Sequence, residues 1–154
     1  MKNNISKKDI LRKLNWGMGI SIQAVLDNDP SERVQIAAVQ QDGEFIQCLE
    51  NPSEDVQVEA VKSDSKALLF INNPSERVQI AAVCANVHGI CYIRRPKIKI
   101  QLAAIESDGL AIRYIKNPSE KVQLEAIKGN IYLINYIKNP SQKVLDYIAT
   151  KLKL

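Results

Sequence analysis

Few residues of this chain could carry chemistry. Its one histidine, His88, stands between Cys84 and Cys91 in a Cys-x3-His-x2-Cys arrangement, with Cys48 further back as a conceivable fourth ligand. A structural zinc site needs four converging ligands. The spacing matches no strong zinc pattern and Cys84 falls on a helix position that faces solvent, so no metal is expected. Nucleophilic catalysis beside His88 would need a third orienting group and a pocket, for which the sequence offers no candidate. Gly17-Met18-Gly19 lacks the strand and spacing of a phosphate loop. The expectation is a non-enzymatic protein without a cofactor.

The polar residues that do recur are spaced for recognition and for structure. Gln35, Gln57, Gln79, Gln101 and Gln123 stand 22 residues apart, and so do all six prolines, from Pro30 to Pro140. A strict period of that length is the signature of stacked repeats. Numbered from each proline, position 19 reads Cys48, Phe70, Tyr92, Tyr114, Tyr136, and position 21 reads Glu50, Asn72, Arg94, Lys116, Lys138. Tyrosine and arginine together are enriched in binding hot spots. The candidate partner-binding set is therefore Tyr92, Arg94, Arg95, Lys97, Lys99, Arg113, Tyr114, Lys116, Tyr136 and Lys138. The glutamines, at position 6 between buried positions, are read as a structural ladder that bonds loop backbone between repeats, since a buried amide must be hydrogen-bonded.

Elements that could position these residues follow from helix signals. Asn51-Pro52-Ser53-Glu54 reads as N-cap, N1, N2 and N3, with the asparagine accepting from first-turn amides and the glutamate reaching back as in a capping box. The same reading fits the segments at Asp29, Asn73, Asn117 and Asn139, and it breaks at Arg95-Pro96-Lys97-Ile98. Positions 5, 7, 9 and 10 are apolar, with alanine at position 9 in each of the five full repeats (Ala38, Ala60, Ala82, Ala104, Ala126). That pattern predicts a mostly buried helix A. Asp or Asn at position 13 starts a second helix B of about two turns, whose positions 17 and 20 face the core.

The organisation expected is an all-α, right-handed solenoid of about six 22-residue, two-helix repeats with terminal caps. Residues 1–29 would form an N-terminal capping helical pair containing Trp16, residues 30–139 five repeats, and residues 140–154 a C-terminal half-repeat cap. The shorter helix B should line the concave side.

The segment from Gln101 to Ile115 resembles bacterial repeats of unassigned function that carry a Val-x-x-Ala-Val-x-x-Asp/Asn-Gly-x-Ala-Ile pattern. More broadly the paired short helices resemble compact α-solenoids of the HEAT and leucine-rich-repeat-variant kind. The resemblance implies the fold, and it implies function only as far as such solenoids serve as protein-binding scaffolds, nucleic-acid binders or enzyme platforms.

Composition sets the remaining bounds. The 154 residues are 45% hydrophobic and 5% aromatic, and no run of about 18 apolar residues suggests a membrane span. The basic stretch 1–13 lacks the apolar core of a secretory signal, and three cysteines make no disulfide framework. A cytoplasmic location is expected, and the Ile/Lys/Asn-rich composition suggests a bacterial or phage source. The formal net charge of +4 conceals a polarity: residues 14–77 carry 4 Lys/Arg against 11 Asp/Glu, residues 78–154 carry 12 against 5. In a stack this becomes an acidic and a basic half. A protein partner is expected, with nucleic-acid binding through the basic half as the alternative.

Overall fold

The computed structural model describes residues 31–153, so the expected N-terminal helical pair and Trp16 lie outside the described residues. Among the described residues six α-helices alternate with five 3-10 helices. The α-helices are α1 (Glu32–Gln41), α2 (Glu54–Ser63), α3 (Glu76–Ala85), α4 (Ile98–Ser107), α5 (Glu120–Gly129) and α6 (Gln142–Leu152). The 3-10 helices are η1 (Gly43–Cys48), η2 (Ser65–Phe70), η3 (Val87–Tyr92), η4 (Gly109–Tyr114) and η5 (Ile131–Tyr136). Each α-helix packs on the next α-helix and each 3-10 helix on the next 3-10 helix. The protein is an all-α solenoid with two layers, and no strand occurs among the described residues.

The expected helix start is displaced by two residues. Serine, not asparagine, is the N-cap: the hydroxyls of Ser53, Ser75 and Ser141 accept from the amides of Val56, Val78 and Val144 at 3.3, 3.3 and 3.4 Å. Asn51, Asn73 and Asn117 instead adopt left-handed backbone, with φ of 52°, 51° and 52°. Asparagine tolerates that region better than other side chains with a Cβ, and there it turns the chain from one unit into the next.

The glutamate is displaced with it. At N1 it closes no capping box but reaches the neighbouring unit. Ser53 Oγ donates to Glu32 and Ser75 Oγ to Glu54, each at 2.5 Å. One carboxylate thus ties its own helix to the next cap.

Helix B is of the 3-10 type and six residues long in every unit, which at three residues per turn gives the two turns expected. Asp42, Asp64, Asn86, Asp108 and Asn130 cap these elements, each side chain accepting from the amide two residues on. The i, i+3 spacing of positions 17 and 20 suits the 3-10 period, since such side chains eclipse.

The core runs through the stack along positions 5, 9, 10, 16 and 17, for example Val56, Ala60, Val61, Ala67 and Leu68, all buried. The position-9 alanines are at most 1% exposed, so a larger side chain there would push adjacent helices apart. Position 7 is buried less than its pattern suggested: Val58 is buried, while Ile36, Ile80, Leu102 and Leu124 are only partly so.

Candidate functional site

The five 3-10 helices lie side by side and form one face of the stack. In the third to fifth units this face holds two adjoining clefts. One, of about 620 Å³, is lined by Arg94, Arg95, Gln101 and Lys116 among others, and the second, of about 690 Å³, by Arg113, Gln123, Tyr136 and Lys138 among others. They meet over Cys91, Tyr114, Ile115 and Lys116. Five cationic side chains line the pair and no carboxylate does.

Aromatic contacts organise the centre. The Arg113 guanidinium lies 4.9 Å from the centroid of the Tyr136 ring and 5.9 Å from that of Tyr114, within reach of a cation–π attraction. The Tyr114 hydroxyl meets His88 Nε2 at 3.0 Å, and His88 Nδ1 meets Asn86 Oδ1 at 3.1 Å. The backbone amide of His88 donates to that same Oδ1 at 2.9 Å, which identifies it as the amide oxygen, an acceptor only. The acceptor at Asn86 assigns a proton to Nδ1, and on a neutral ring Nε2 then accepts from the Tyr114 hydroxyl, so the position-19 ring of the fourth unit is anchored to the third.

Ion pairing divides the two layers. Every ion pair among the described residues is made by side chains of the α-helices: Arg77 with Glu54 and Asp55, Lys99 with Glu76, Lys143 with Glu120, Lys62 with Glu59 and Lys128 with Glu125. Hydrogen bonds from Ser75 and Arg77 hold the Glu54 carboxyl below its ordinary range, and Lys99 does the same for Glu76. Arg94, Arg95, Arg113, Lys116 and Lys138 form no ion pair with the described residues.

Seven of the ten residues expected at a partner surface therefore come together: Arg94, Arg95, Arg113, Tyr114, Lys116, Tyr136 and Lys138. The other three lie elsewhere. Tyr92 is half-buried and packs against the core of the first three units. Lys97 is the exposed N-cap residue of α4, and Lys99 sits on α4, 2.5 Å from Glu76. Cys91, weighed in the sequence only as a conceivable metal ligand, lines both clefts from position 18, in register with Arg113 one unit on.

The glutamines, expected to bond loop backbone between repeats, bond it mainly inside their own units. Gln57, Gln79, Gln101 and Gln123 donate to the carbonyls of Pro52, Pro74, Pro96 and Pro118 at 2.8–2.9 Å. Gln123 also donates to the Asn139 carbonyl at 3.3 Å, at the end of its unit, and accepts from the Ser141 amide of the next at 2.9 Å. Gln35 holds the same position in α1. Among the described residues no three of His, Cys, Asp and Glu converge as metal ligands would. Cys84 and Cys91 carry exposed free thiols. No helix described is long and apolar enough to cross a membrane.

By its fold the chain belongs to the helical-repeat class. Comparison with known protein families, with curated proteins and with solved structures finds no match.

Proposed function

We propose that this chain is a non-enzymatic protein-binding module of the HEAT-like kind, an adaptor or inhibitor acting in the cytoplasm, which meets its partner through the 3-10 face of the third to fifth units. The observation that carries this reading is the separation of charge between the layers. In the α-layer Lys62, Arg77, Lys99, Lys128 and Lys143 pair with carboxylates, whereas the clefts gather five cations and two tyrosines with no carboxylate beside them. Leaving like charges together costs stability unless something compensates, and a partner bearing carboxylates compensates it.

Nucleic acid would also suit the charge, but sequence-tolerant strand binding relies on bases stacking on open aromatic faces. Here Arg113 already lies over Tyr136 and Tyr114, and the Tyr114 ring is 5.0 Å from that of His88. A protein partner is therefore favoured.

Affinity capture from a lysate, with and without nuclease, tests the reading. A captured protein should survive nuclease and should be lost from the variant Arg94→Glu with Arg95→Glu, whose circular dichroism and melting temperature stay close to the parent's. Loss of the catch on nuclease treatment, or equal capture by the variant, would show that the face does not bind protein in this way.

A further inference from the structure

The 3-10 face presents the same positions once per unit, so a ligand lying along it meets the same offset repeatedly. Its character changes along the row. In the second unit Leu69 and Phe70, 62% and 40% exposed, offer hydrocarbon and Asn72 stands at position 21. In the next three units position 21 is a cation and position 19 a tyrosine.

The spacing selects the shape of a matching ligand. Packed helices lie about 8–10 Å apart. A polyproline II segment has three residues per turn and rises about 3.1 Å per residue, so every third side chain points the same way and returns after roughly one unit. A β-strand alternates its faces and would turn its third side chain away. An α-helix rises about 1.5 Å per residue, so its i, i+3 and i+4 side chains fall short of one unit.

Resting on the reading of this face as protein-binding, we propose that its ligand is an acidic polypeptide segment in polyproline II conformation that lies along the row. Carboxylates at every third residue meet Arg94, Lys116 and Lys138, and an apolar side chain one turn beyond them meets Leu69 and Phe70. Arg113, whose guanidinium lies 4.9 Å from the centroid of the Tyr136 ring, offers its fork of donors to the same segment. A polyproline II backbone has no internal hydrogen bonds, and Asn117 and Asn139, which line the second cleft one unit apart, can serve its peptide groups. The signature is apolar-x-x-acid-x-x-acid-x-x-acid, read in either chain direction.

Fluorescence anisotropy with the full chain and a labelled Leu-Pro-Pro-Glu-Pro-Pro-Glu-Pro-Pro-Glu peptide tests this. The comparators are an isomer with its three glutamates adjacent and an oligo-dT of similar length. The periodic peptide should bind about tenfold more tightly than the isomer, the order expected for losing two exposed carboxylate contacts. Lys116→Glu should cost the periodic peptide a similar factor, and Phe70→Ser should weaken it while sparing a peptide that lacks the leucine. Bound peptide should slow alkylation of Cys91 but not of Cys84, which is exposed on α3. Equal affinity for the isomer, tighter binding of oligo-dT, or no binding of either peptide overturns the proposal. If a captured protein still depends on Arg94 and Arg95, the broader function stands alone; if it does not, both fall.

Discussion

Ile98 occupies, in the fourth unit, the place of the glutamate that binds the next unit's serine, and Ser119, one unit on, has a buried hydroxyl without a hydrogen-bond partner. The contrast with its equivalents is direct. Ser53 and Ser75 bond Glu32 and Glu54, and Ser141 bonds the Val144 amide. Ser119 caps nothing with its side chain. Lys121, equivalent to Arg77, Lys99 and Lys143, likewise has no ion pair with the described residues. The departure between Arg94 and Lys99 therefore affects a link between units as well as a helix cap.

Ile98→Glu should restore that link and stabilise the fold by about 1 kcal/mol, the net worth of a hydrogen bond. The gain should vanish when Ser119→Ala is added, and Ser119→Ala alone should change little. A double-mutant cycle in urea measures the coupling. An equal gain with and without Ser119 would mean that the glutamate acts through bulk charge and not through this bond.

Gln123→Leu should be the costliest change in the glutamine row. It orphans the carbonyls of Pro118 and Asn139 and the Ser141 amide together, at about 1–3 kcal/mol for each group left buried and unpaired. Gln79→Leu should cost less, since it orphans only the Pro74 carbonyl. Gln47→Leu, on η1, should cost least. Thermal melts of the three variants give the order, and equal midpoints would remove the row's structural role.

The repeat, its helical class and most of its core could be read from the sequence because they rest on local pattern: a 22-residue period, alanine at position 9 and apolar positions 5 and 10. The helix start could not. Asn, Pro, Ser and Glu are all plausible at a helix N-terminus, and what decides between registers is the left-handed asparagine and a bond to a glutamate 21 residues earlier. Arg113, Lys116 and Lys138 could be placed from their periodic register. Lys99 could not, because the Glu76 that engages it lies a full unit away.

The glycines give two opposite expectations. A Cβ at Gly43 would lie 2.4 Å from the Ala60 carbonyl oxygen, and one at Gly89 would lie 2.5 Å from that of Ala82, while at Gly129 nothing lies within 4 Å. Gly43→Ala and Gly89→Ala should destabilise by about 1–3 kcal/mol, as overpacking does. Gly129→Ala, at the end of α5, should stabilise by up to about 1 kcal/mol through helix propensity. Denaturant midpoints report all three. A neutral Gly43→Ala would show that the first two units separate more easily than their close approach implies.

Acid should weaken the α-layer first. The carboxyls of Glu54, Glu76 and Glu120 are held below their ordinary value of 4.5, Glu54 by hydrogen bonds from Ser75 and Arg77, Glu76 by Lys99 and Glu120 by Lys143. A carboxyl with a lower pKa folded than unfolded binds more protons in the unfolded chain, so its contribution is present above the unfolded value and disappears as pH falls through the folded one. The melting temperature should therefore be flat near neutrality and decline from about pH 5 downward. The decline should be shallower in 1 M salt, which screens exposed pairs, and in a variant carrying Glu54→Gln, Glu76→Gln and Glu120→Gln. The same slope in that variant and the parent would locate the acid sensitivity in other carboxylates, Glu59 among them, which hydrogen bonds from Lys62 and Gln40 also hold low.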